Sequence, residues 1–155
     1  MGRRKYRRVK KRNSYEYVPD INGKWIKYKN KFILERNIPE EDLLKKEFRD
    51  LVKNKPFIKK RLKNIKDIKK KIYYAKVWIL TEENDLTVLK NYDKRGFKSY
   101  HLDHIFPISE GYKHEIPPEV IANINNLRFI TRKANLNKGN SLTKKAITII
   151  KKLLK

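Results

Sequence analysis

The chain has 155 residues, enough for one modest domain or a small catalytic module with additions, and too few for two full cores. Lys and Arg number 41 against 17 Asp and Glu, a formal net charge of +24, so a polyanion is the partner to expect, nucleic acid first and an anionic membrane surface second. No stretch approaches the roughly 20 consecutive apolar residues of a spanning helix, and the absence of Cys excludes disulfides, thiol catalysis and Cys-based zinc sites.

Residues 1–14 read as a basic flexible arm. Arg3, Arg4, Lys5, Arg7, Arg8, Lys10, Lys11 and Arg12 stand there without an acidic neighbour, and such a run is too charged to fold alone. It is either a solubilising tail or an arm that tracks a phosphate backbone. No apolar run follows these charges, so the N-terminus does not read as a secretory signal.

Residues 15–95 read as a hairpin followed by helices. Asn22-Gly23 lies between two aromatic-rich alternating runs, and Asn-Gly tolerates the positive φ angles of a type I′ turn, which predicts a β-hairpin across it. Tyr15, Tyr17, Trp25 and Tyr28 could stack on bases or simply pack. From Pro39, acidic residues in a first turn precede Leu43, Leu44, Phe48 and Leu51 at helical spacing, which predicts a helix. After Pro56 a second helix is predicted, with Ile58, Leu62, Ile65, Ile68 and Ile72 on one stripe. Its other faces carry Lys59, Lys60 and Lys63, either as a solvated surface or as contacts to phosphates. The run Val77-Trp78-Ile79-Leu80 fits a buried strand or the end of a helix equally well.

Residues 96–155 hold the chemical variety. Tyr100 to His104 reads as a short strand, Leu127 to Ile130 as its antiparallel partner, and Thr131 as the N-cap of a short helix that Gly139 ends in a left-handed conformation. Asn135 falls inside that helix, where propensity disfavours it, so a ligand role would give it a reason to be there. A closing helix follows, with Ala146, Ile147, Ile150, Leu153 and Leu154 as its apolar stripe.

Cleaving a phosphodiester needs a base for water, a cation against the charge growing on the phosphate, and a group to steady the leaving oxygen. His104 suits the first task because a neutral imidazole accepts a proton near pH 7. Asp103 and Asn135 offer hard oxygen donors that suit Mg²⁺, with Mn²⁺ or another divalent ion able to substitute. Asn126 could hydrogen-bond the loop backbone and hold His104. Successive residues of a flat strand point to opposite faces, so for Asp103 and His104 to serve one phosphate the strand must distort or end, and Pro107 makes an ending plausible.

The set Asp103-His104-Ile105, Pro107, Gly111 in a loop, Asn126-Leu127 and Asn135-Leu136-Asn137-Lys138-Gly139 resembles the HNH endonuclease family, in particular the small HNH proteins of phage genomes, many of them homing endonucleases. The resemblance covers about a quarter of the chain. It implies an α+β fold with a ββα-metal core, flanking helices, an N-terminal hairpin and a basic arm. It also implies a DNA endonuclease, cutting both strands or nicking one, with one divalent ion on Asp103 and Asn135, His104 as base and Asn126 as the orienting middle Asn. His101 would touch the phosphate or support the ligand set, or be structural; Arg128, Arg132 and Lys138 would pin the cut strand or be general surface charge. His114 reads as an exposed bystander. The expected partner is DNA, with no membrane and no small-molecule substrate, in the cytoplasm of a bacterium or a phage-infected cell. The competing readings are a non-catalytic basic nucleic-acid-binding protein and a toxin nuclease.

Overall fold

In the computed structural model, residues 8–11, 14–17, 25–28 and 31–34 are described as strands by their backbone, and residues 37–155 are described in full. The fold is α+β. The chain divides into two compact units, Met1–Leu43 and Leu44–Lys155.

In the first unit, β1 (Arg8–Lys11) pairs antiparallel with β2 (Ser14–Tyr17), and β3 (Trp25–Tyr28) pairs antiparallel with β4 (Lys31–Leu34). This corrects two expectations. Arg8, Lys10 and Lys11 belong to a strand instead of an unstructured arm, and β2 does not pair with β3 across Asn22-Gly23. Two positions separate the strands of each pair, against seven between β2 and β3, and a shorter separation costs less entropy to close. Arg3, Arg4, Lys5, Arg7, Arg12 and the Asn22-Gly23 turn lie outside the described residues, as do the side chains of Arg8, Lys10, Lys11, Tyr15, Tyr17, Trp25 and Tyr28.

The predicted helix after Pro39 is α1 (Glu40–Leu51), which opens on Glu40, Glu41 and Asp42, charges that suit the positive end of a helix dipole. The single helix expected after Pro56 is two: α2 (Pro56–Arg61) and α3 (Ile68–Glu83). Asp67 makes the division. Its carboxylate accepts from the backbone N–H groups of Lys69 at 2.9 Å and Lys70 at 3.2 Å, an N-cap that starts a new helix there. Val77 to Leu80 lies inside α3, because Ala75, Val77 and Trp78 bury against the rest of the unit and packing overrides their β propensity. Asn84 closes α3, its side-chain amide donating to Leu80 O at 2.8 Å and to Ala122 O at 3.0 Å.

β5 (Tyr100–His104) pairs antiparallel with β6 (Leu127–Thr131), with Asp103 opposite Arg128 and His104 opposite Leu127. Between them run α4 (Ile108–Lys113) and α5 (Pro118–Ile121), and after β6 comes α6 (Arg132–Lys138). Thr131 caps α6 by accepting from Ala134 N at 3.2 Å, as the sequence predicts. Gly139 ends it with φ +50° and ψ −127°, a positive-φ conformation open to glycine but not the left-handed helical one expected. Gly111 is helical, inside α4, and not in a loop. Its lack of a side chain serves packing: a Cβ there would meet Tyr73 Oη at 2.6 Å and Ile121 Cγ1 at 2.7 Å.

The main core joins Val52, Ile58 and Leu62 to Ala75, Val77 and Trp78 of α3, to Ile105, Phe106 and Ile108 after β5, and to Ile121. α7 (Lys144–Leu153), capped by Thr143, closes it with Ala146 and Ile150. Ile147 and Leu154, expected on the buried stripe, are exposed, and Ile149 packs in their place. A smaller cluster of Leu86, Leu127 and Phe129 supports the strand pair. Among the described residues no helix is long and apolar enough to cross a membrane.

Candidate active site

Asp103 and His104 are the last two residues of β5, and both are buried. Strand alternation sends them to different neighbours. Asp103 accepts from Arg128 Nε on the facing strand at 2.8 Å and from Lys138 Nζ of α6 at 2.6 Å. His104 meets α3, with Nε2 2.9 Å from Thr81 Oγ1 and its ring edge-on to Trp78, centroids 5.1 Å apart. The strand stops there, and both residues line one cavity of about 290 Å³ at its end, together with Asn135 and Lys138. The ending that Pro107 suggested is therefore observed.

Asn135 reaches this cavity from the middle of α6. His101, two positions before Asp103, holds the Asn135 amide: with Nε2–H donated to Phe97 O at 2.8 Å, its Nδ1 accepts from Asn135 Nδ2 at 3.3 Å. The amide nitrogen is thereby committed, and Oδ1 is the donor atom left for a cation. Asp103 and Asn135 supply one carboxylate and one neutral oxygen. Among the described residues no three His, Asp or Glu side chains converge. A divalent ion here would rest on those two oxygens plus water, and that donor chemistry fits Mg²⁺, which keeps several waters and uses few carboxylates.

Asn126 does not line the cavity. It is wholly buried, and its side chain accepts from Phe106 N at 2.7 Å while donating to Ile121 O at 2.8 Å and Phe106 O at 3.3 Å. Its backbone oxygen accepts from Ile105 N at 2.8 Å. Three of these four bonds fix Ile105 and Phe106 just past His104 and the fourth ties them to Ile121 of α5, so Asn126 acts on the site through the turn.

The electrostatics are set by cations. Burial, and after it the nearby charges of Lys138 and Arg61, lower the His104 pKa to about 3. The imidazole is neutral at pH 7. Lys138 Nζ also donates to His104 O at 2.5 Å, joining both strand residues through one ammonium. Arg61 lies over the Trp78 ring, 3.7 Å from its centroid, at the cavity wall. Arg128 thus contacts Asp103, whereas Arg132 lies over the exposed Phe97 ring at 5.6 Å and does not line this cavity. Lys59, Lys60 and Lys63 are exposed, with Lys60 and Lys63 beside a second cavity and Lys59 lining neither. His114 is exposed and sits 3.5 Å from Glu110 Oε2.

Thr81, Trp78 and Arg61 were not anticipated. Thr81 carried a faint signal, a polar residue closing the apolar run Val77 to Leu80; Arg61 carried none among so many basic neighbours. No protein-family model, curated protein or solved structure matches the chain.

Proposed function

We propose that this chain is a metal-dependent endonuclease of the HNH type that hydrolyses DNA phosphodiester bonds. The observation that carries the reading is the meeting of Asp103, His104 and Asn135, brought from a strand end and a following helix, around one cavity with Lys138. In this reading Asp103 and Asn135 hold a divalent ion, Mg²⁺ or Mn²⁺. When bound, the ion supplies positive charge against the phosphate oxygens as the transition state forms.

His104 takes the proton of the attacking water. If Nε2–H is donated to Thr81 Oγ1, the lone pair is on Nδ1 and the ring is held against rotation. A pKa of about 3, set first by burial and then by Lys138 and Arg61, makes it a weak base on its own, and the part due to those two cations is the part a bound phosphate would relieve. A phosphate anion offsets their field and moves the imidazole toward the range where a base works best. Arg128 stays on Asp103 Oδ2 and orients the carboxylate. One cavity serves one phosphodiester at a time, so a single engagement nicks, and linearisation takes two.

A non-catalytic DNA-binding protein draws on one observation: both Asp103 oxygens already have cationic partners, as in a structural ion pair. Supercoiled plasmid separates the readings. Nicking with Mg²⁺ or Mn²⁺, arrest by chelator, and loss in His104→Ala with DNA binding retained are expected; no cutting with any divalent ion would leave only the binder.

A further inference from the structure

Next to the Asp103 cavity is a larger one, about 740 Å³, with a mostly apolar wall. Phe57, Trp78, Phe97 and Tyr100 line it. A single exposed Phe says little about function. Here two of them flank one cavity, Phe57 at 59% exposure and Phe97 at 81%, and neither ring is spent on the core.

Cations accompany the rings. The Arg61 guanidinium is 5.2 Å from the Phe57 centroid as well as against Trp78, and Lys94 Nζ is 5.7 Å from that of Tyr100. Lys60, Lys63 and Arg95 line the same cavity, Arg95 also pairing with Glu82 at 3.1 Å. No Asp or Glu among the described residues lines it. Flat apolar faces edged by positive charge complement a nucleotide, whose base stacks on rings while its phosphate meets Lys and Arg. The volume lies within the roughly 300 to 1,000 Å³ of sites for molecules of that size.

The two cavities share Arg61, Trp78, Leu102 and Asn135. An occupant of the larger one is therefore a neighbour of any phosphate held at Asp103. A base stacked within a duplex cannot enter, since its faces are already covered; an unpaired one can, without the cost of unstacking. Resting on the nuclease reading of the Asp103 site, we propose that this cavity is a stacking pocket for an unpaired nucleobase next to the phosphate to be cut. The chain then selects DNA carrying an unpaired nucleotide over continuous duplex.

The test reads binding in the full-length His104→Ala variant, so that it does not depend on cutting. Its affinity for a short duplex with one bulged nucleotide is compared, at fixed salt, with that for the same duplex without the bulge. A preference of at least about fivefold is expected, from the strength of base–aromatic stacking. Adding Phe57→Ala and Phe97→Ala brings the ratio toward one, while Phe97→Tyr in their place preserves it. Both positions are exposed, so the substitutions leave the fold intact, which circular dichroism checks. Equal affinity in the parent, or a preference that survives the double substitution, overturns the pocket. Bulge preference without cutting by the His104-containing chain sinks the nuclease reading alone, and no DNA binding sinks both.

Discussion

Removing the Asn126 side chain should damage the site from beneath without touching the cavity. Asn126→Ala leaves the Phe106 N–H without its 2.7 Å acceptor and takes donors from Ile121 O and Phe106 O, all in a region closed to water. Each buried polar group stranded in this way costs about 1 to 3 kcal/mol. Counting the two short bonds fully and the 3.3 Å contact as weak, the loss should be about 3 to 5 kcal/mol, a large part of the roughly 5 to 15 kcal/mol that holds a typical domain. Urea unfolding at constant m-value measures it directly. Asn126→Asp adds a sign: a carboxylate facing two carbonyl oxygens has its pKa raised, the folded state then holds the proton more tightly, and stability falls as pH rises from 4 to 8. A loss under about 1 kcal/mol in Asn126→Ala, or an Asp variant indifferent to pH, would refute the claim that Asn126 builds the turn.

Thr81→Val keeps the shape of a fully buried side chain but strands His104 Nε2, so plasmid nicking should slow by about ten- to a hundredfold and stability should fall by about 1 to 3 kcal/mol, with Thr81→Ser restoring the nicking. His104 is neutral when folded, with a pKa near 3, against 6.5 in the unfolded chain. Between those values the unfolded state binds the extra proton. Stability should therefore drop as pH falls through that window, by up to about 1.4 kcal/mol per unit, and a His104→Gln variant should lose that part of the slope in denaturant melts. Gly111→Ala pushes a methyl into Tyr73, whose hydroxyl donates to Ile116 O at 2.7 Å, and into Ile121; overpacking of about 1 to 3 kcal/mol should lower Tm by several degrees.

The strand pair and helix around the site were legible because the local signals agree: alternation in Tyr100 to His104, the Thr131 cap and Gly139 after the last turn all lie within one short stretch. The break between α2 and α3 was hidden because Ile58, Leu62, Ile65, Ile68 and Ile72 keep helical spacing straight through it, and the single informative residue, Asp67, looked like one more charge. The pairing of β2 with β1 and of β3 with β4 was hidden because Asn22-Gly23 is the strongest turn signal in that stretch, while chain separation favours the nearer strands. The His104 environment was illegible for a different reason. Thr81 and Trp78 lie more than 20 positions upstream, and what they touch is decided by tertiary packing of α3, which no local pattern encodes.

The ammonium of Lys138, tied at once to a carboxylate and to a carbonyl, balances the buried Asp103 from within the polypeptide itself. Folding thus need not await an external ion, unlike small domains that collapse when stripped of zinc. Dialysis against EDTA should silence any cutting while leaving the thermal transition where it was.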